Sequence, residues 1–264
     1  MYGLLHSLWS FRAYITSSIL ADFKTRFVRS RLGFAWVILN PLAQVCIYAF
    51  ILSGLMASRI PDIDNRFGYA IYLLSGLLAW NLFSEIVDRL MRVFIANANV
   101  IKKVRFPRIV LPVIAVGTAL INNAALLVVM CVLFVLFGYP LTPEILLVIP
   151  AALLVALFAA GIGMVLGVLN VFIRDIEQVV PILLQITFWF TPIIYPANII
   201  PERFHYLLEL SPMFHIVDTY HRLIVYAQPV QLGSIAYVVV LTLLLSALGL
   251  FLFRRASAEM VDVL

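Results

Sequence analysis

Apolar positions fill this chain in long blocks, and charge is confined to the gaps between them. Uncharged runs occupy residues 32–58, 67–84, 109–143, 145–173 and 178–201, with a last one inside 223–253 that is most apolar from Leu232. As helices rising about 1.5 Å per residue, such runs are about long enough to cross roughly 30 Å of hydrocarbon. Backbone in lipid must satisfy its own hydrogen bonds, so helix is the form these runs take. The pattern predicts an all-α polytopic membrane protein of six transmembrane helices, at about 32–58, 67–88, 109–137, 145–172, 178–196 and 232–253.

The leading residues follow a different rule. Phe11, Ile15, Ile19, Phe23 and Phe27 recur every four residues, with Asp22 and Arg26 intruding on the stripe. Over residues 1–31 this predicts an amphipathic helix on the cytoplasmic interface. Arg12 interrupts the first apolar stretch and no cationic start or small-residue cleavage site precedes it, so a cleavable signal is not expected. Lys24, Arg26, Arg29 and Arg31 then abut the first run. Cationic flanks stay inside, which fixes the direction of the chain. With that orientation, only Arg59, Arg66, Arg203 and Arg222 of the 18 Lys and Arg fall outside. Both termini, including the tail 254–264, are therefore expected in the cytoplasm.

Two connections carry their own pattern. The inner loop 97–108 is short, basic and closed by Pro107. The outer segment 197–231 has helix-start signals at Pro201-Glu202 and Ser211-Pro212. It predicts two short amphipathic helices, too short to span, that dip back into the outer leaflet where protein or water covers their backbone.

Composition agrees with the block pattern: 64% of residues are hydrophobic and 12% charged, whereas soluble domains are nearer half and a quarter. The net charge of +5 records topology rather than nucleic-acid binding. Cys46 and Cys131 lie in apolar runs as small core residues. No phosphate-binding glycine loop occurs, so the chain does not bind ATP in the ordinary way. Gly161 and Gly163 read as a close-packing pair. The apolar centres of the runs hold no ionisable side chain, which disfavours an ion-coupled carrier or a hydrolase working at depth. His205, His215, Asp218 and His221 form no complete metal pattern, and no metal is expected. For a transferase acting on polyprenyl lipids, the inner-side carboxylates would be Glu85, Asp88, Asp175 and Glu177; ion pairing with Arg89 and Arg174 is the simpler role for them. The aromatics Trp36, Tyr48, Phe188, Trp189 and Tyr195 fit an interfacial belt with core packing, or a conduit whose rings stack on sugar faces.

The stretch 26–41, the loop 97–107 and Arg174-Asp-Ile-Glu-Gln-Val-Val-Pro-Ile-Leu-Leu-Gln185, in that order, resemble the permease subunits of type-2 ABC exporters of polysaccharide. The similarity is greatest to O-antigen exporters, with capsule and teichoic-acid exporters as relatives. The resemblance implies a homodimer working with two copies of a separate ATPase, which would bind ATP and Mg; this chain would hold no cofactor. It implies a coupling helix in the loop 97–107, with Asn97, Asn99, Lys102, Lys103 and Arg105 docking on the ATPase. It implies an interface helix carrying Lys24, Arg26, Arg29 and Arg31, where a lipid-linked substrate is recruited. Phe204, Tyr206, Phe214 and Tyr220 would belong to exit-gate helices. Trp36, Tyr48, Phe188, Trp189 and Tyr195 would line the passage between protomers. The expected function is export of undecaprenyl-linked O-antigen across the bacterial inner membrane, with no bond chemistry by this chain. Alternatives are capsule, teichoic-acid or drug export on the same architecture, or a membrane-embedded transferase.

Overall fold

The computed structural model describes residues 2–28, 35, 36, 39, 43, 47, 68–103, 106–136, 138–257 and 259–263. Every regular element among them is helical. The predicted first span, 32–58, lies outside the described residues apart from isolated positions.

Two N-terminal helices, α1 (Tyr2–Ser10) and α2 (Arg12–Val28), take the place of the single interface helix expected. They are divided at Phe11, where Arg12 folds back: its guanidinium donates to the Trp9 carbonyl at 2.9 Å and lies 4.9 Å from the Trp9 ring centroid. The four-residue stripe has a partner. Ile15 is buried, and Ile19 meets α5 (Val110–Leu136) where Gly117 leaves no Cβ in the way.

The central element is α3 (Gly68–Ala96), most of whose residues are buried. Its 29 residues extend twelve beyond the apolar run that ends at Ser84, through Glu85, Asp88, Arg89 and Arg92. The helix continues because those charges neutralise one another at helical spacing. Arg89 Nε donates to Glu85 at 2.9 Å, and Arg92 pairs with Asp88 at 3.0 Å. Arg89 also reaches Asp22 of α2, and Arg92 reaches Glu177. A helix that is apolar or internally paired all round belongs at the centre of a bundle.

Around α3 stand α5, α6 (Val148–Phe172, preceded by a 3-10 turn over Pro143–Leu147) and α7 (Ile176–Phe190). The last long helix, α10 (Leu232–Ala256), packs on α6. The α3–α6 seam is built on absent side chains. A Cβ at Gly163 would sit 2.7 Å from Leu90 Cβ, and one at Gly167 would strike the Leu90 carbonyl oxygen. The α6–α10 seam uses Gly161 and Gly249 in the same way. Small residues permit such close approach, the main source of helix affinity where lipid competes with no hydrophobic drive. Amides cross-link the bundle: Asn123 donates to the Leu78 carbonyl at 2.9 Å, and Asn170 to that of Met91 at 3.0 Å.

α3, α5, 143–172 and α10 are long and apolar enough to cross a membrane. The outer faces of α5, α6 and α10 show why they need one. Val128 and Val132, Leu153 and Leu157, and Leu243 and Leu244 are exposed side by side, a surface that water would not tolerate. The run expected as a fifth span over 178–196 is helical only to Phe190, about 22 Å of helix. Pro192 forces Thr191 into an extended conformation and ends it. The chain then turns through 3-10 segments at Ala197–Ile199 and Glu202–Phe204, α8 (His205–Glu209) and α9 (Pro212–Ile224). As the sequence signals, Ser211 precedes α9 and Pro212 opens it. Neither helix is long enough to span.

Candidate functional site

A polar-lined groove of about 340 Å³ lies between α3 and α7. Trp80, Asn81 and Ser84 of α3 face Leu184, Gln185, Phe188 and Trp189 of α7 across it. The three α3 positions fall on one face because helical neighbours recur at three and four residues. Phe188 is held by Trp80, with ring centroids 5.4 Å apart and tilted at 58°, and meets Trp189 edge-on at 5.7 Å. Trp189 is half exposed, at 52%. Aromatic faces beside a hydroxyl and two carboxamides make a surface that can stack on an apolar ring face and exchange hydrogen bonds with ring hydroxyls.

Of the conduit aromatics expected from sequence, Phe188 and Trp189 come together here. Tyr195 sits above them: its hydroxyl donates to the Trp189 carbonyl at 2.7 Å, and its own carbonyl accepts from Tyr72 at 3.2 Å. Trp36 is exposed, and Tyr48 lies outside the described residues. Trp80, Asn81, Ser84 and Gln185 were missed. The available signal was polar residues inside apolar runs at helical spacing.

At the end of the bundle where α3 begins, α9 closes over it. His221 is fully enclosed. Its ring stacks on Tyr72 at 3.8 Å, and its Nε2–H donates to the Tyr72 carbonyl at 3.2 Å. Burial pushes its pKa down to about 3, so the ring is neutral. A Cβ at Gly76 would approach His221 Nε2 to 3.0 Å, which explains glycine there. Beside this bolt lies a cleft of about 150 Å³ lined by Phe214, Asp218 and Tyr226 among others. Tyr220, on the buried face of α9, is wholly enclosed, whereas Phe204 and Tyr206 are exposed.

At the opposite end Asn97 turns the chain. Its carboxamide donates to the Val93 carbonyl at 2.8 Å and its carbonyl accepts from Val100 and Ile101, ending α3 and starting α4 (Ala98–Lys103). Asn99, Lys102 and Lys103 are exposed, and the lysines occupy the last turn, where the helix dipole favours cations. Arg105 lies outside the described residues, as do Arg29 and Arg31. Arg26 belongs to α2, and Lys24 is exposed on the same helix.

Membrane enzymes gather reactive groups in one place. Here Glu85, which also accepts from Asn122 at 2.6 Å, and Asp88 and Glu177 are tied to arginines. His205 and His215 hold the carbonyls of Ile200 and Glu209, and Asp218 pairs with Arg222 at 2.7 Å. No group of side chains among the described residues is arranged to hold a metal ion. What the helices form is an apolar bundle long enough to cross a membrane, with a groove of aromatic, amide and hydroxyl side chains along α3 and α7. Residues 13–225 match the ABC-2 type transporter model, and the chain belongs to that family. It is a permease, a multi-pass protein of the bacterial inner membrane, and not itself a catalyst.

The chain is 29% identical to an O-antigen export system permease protein of Klebsiella pneumoniae over 92% of both chains. It is 30% identical to a protein of the same description from Myxococcus xanthus over 83% of both. It is also 27% identical to the polysialic acid transport protein of Escherichia coli, over 94% of this chain and 95% of that one.

Proposed function

We propose that this chain is the membrane half of an ATP-driven exporter that carries undecaprenyl-linked O-antigen polysaccharide across the inner membrane. Two copies would form the passage, and two copies of a separate ATPase would bind the ATP and Mg. In this reading the chain has six spans with both termini in the cytoplasm. α4 docks on the ATPase, α2 receives the lipid end of the substrate at the cytoplasmic surface, and α8 and α9 gate the exit. The observation that carries the reading is the groove between α3 and α7, whose tryptophans, amides and hydroxyl suit sugar rings passing in sequence. The relatives that export O-antigen point to that cargo. The likeness to a polysialic acid transporter supports a second reading, a capsule polymer moved by the same wall.

The test is transport with the docking end left alone. In cells lacking the native permease, Trp189→Ala and Ser84→Leu are expected to cut surface polymer by about tenfold or more, the scale of losing one or two stacking contacts. Recovery of the ATPase on the permease should be unchanged. Full surface polymer with both substitutions would remove the groove from the passage.

A further inference from the structure

The chain's last described helix, α11 (Met260–Val263), does not trail away from the bundle. It packs against α4 and against α6. Met260 is completely buried, joining the same apolar core as Ile101, the one buried residue of α4. The approach to α11 is fixed from two sides. Phe253 near the end of α10 is stacked on Phe94 of α3 at 5.7 Å, and Arg108 donates to the Ser257 hydroxyl at 3.0 Å. Arg108 stands directly after the loop that contains α4, so both ends of that loop are tied to the tail or to the helix the tail leaves.

A six-residue helix needs this support. It is far below the length at which a helix persists alone in water, about 12–15 residues. With one side chain buried, its position depends on what lies behind Ile101. Its outward face is Asn99, Val100, Lys102 and Lys103, and Arg254 and Arg255 are exposed at the foot of α10.

We propose that the C-terminal segment is the back-plate of the docking helix: Met260 is a positioning residue that holds α4 at the angle its partner reads. The partner this surface fits is an ATPase subunit presenting a cleft with an acidic rim to the exposed lysines and arginines. The inference rests on α4 being the docking helix, and it adds that residues 259–264 determine how firmly the ATPase is held without themselves supplying the charges.

The test uses the full permease co-expressed with its ATPase and purified on a permease tag. It measures ATPase recovered per unit of folded permease, with folding followed by size-exclusion profile and melting temperature. Met260→Asp, and separately deletion of 259–264, are expected to lower that ratio by about tenfold. Met260→Leu, which keeps the volume, should restore it. Lys102→Glu with Lys103→Glu serves as the reference. If that pair loses the ATPase while Met260→Asp and the deletion both keep it, the back-plate is wrong and the docking helix stands. If the lysine pair keeps the ATPase, α4 is not the docking helix and both ideas fall. A tail variant whose lower recovery merely follows loss of folded permease also overturns the proposal, since it would show the tail to be ordinary core.

Discussion

One buried side chain at the α9 end of the bundle couples stability to acidity. His221 is buried as a neutral ring with its pKa pushed far below the usual value near 6.5. The unfolded chain takes up a proton below about 6.5, and the folded one does so only near 3. Between those limits the unfolded state binds more protons, so stability is complete above about pH 6.5 and falls as the solution is acidified. Melting temperature measured from pH 7.5 to 5 should therefore drop more steeply for the native permease than for His221→Gln, which keeps a donor and removes the titration. Parallel curves would mean that His221 is not the group responsible. This role was hidden in the sequence. Spacing showed His215, Asp218 and His221 recurring every three residues, but each of them turns to a different neighbour: Ser234 and the Glu209 carbonyl, Arg222, and the Tyr72 ring. Periodicity orders residues on one helix and carries no information about the helix packed against it.

Among the elements, α6 has the least freedom. Its glycines bring it into backbone contact with α3 on one side and α10 on the other. At Gly167 an added side chain would meet the Leu90 carbonyl, which cannot swing aside as a flexible side chain can. Gly167→Val is expected to cost about 1–3 kcal/mol by overpacking, seen as a lower melting temperature in detergent. Gly233, with nothing near its missing Cβ, should accept alanine without that loss. The close-packing role of Gly161 and Gly163 was legible in advance, as was the start of α9 at Ser211-Pro212; the residues after Asn97 read only as a compact basic loop, and a helix there came from the resemblance alone. The end of α7 was not. An uncharged run continues to Pro201, and hydropathy alone does not separate a helix from the turns that follow Pro192 inside protein. The length of α3 was misjudged for the opposite reason. The expected span stopped at 88 and left Arg89 and Arg92 to the loop, but their pairing at four-residue spacing, and with Asp22 and Glu177, carries the helix on to Ala96.

For the whole molecule, one end of the bundle is built from α4, the foot of α10 and α11, and the other from α8 and α9. The bundle is organised from α3 outward, and α7 is its most lightly held member: among its residues only Val180 is buried. Its foot is tied by the Arg92–Glu177 pair at 3.3 Å, and its upper part rests on Trp80 through Phe188. That makes α7 a short stave beside long ones. On the six-span reading, α7 as a helix of about 22 Å in a hydrocarbon layer of roughly 30 Å leaves a hydrophobic mismatch, which lipids accommodate by thinning locally at a cost that grows with each ångström. Bilayer thickness thus acts on this permease as a mechanical variable. Reconstituted with its ATPase into membranes of increasing acyl-chain length, it should export progressively more slowly, with α7 the helix whose tilt responds.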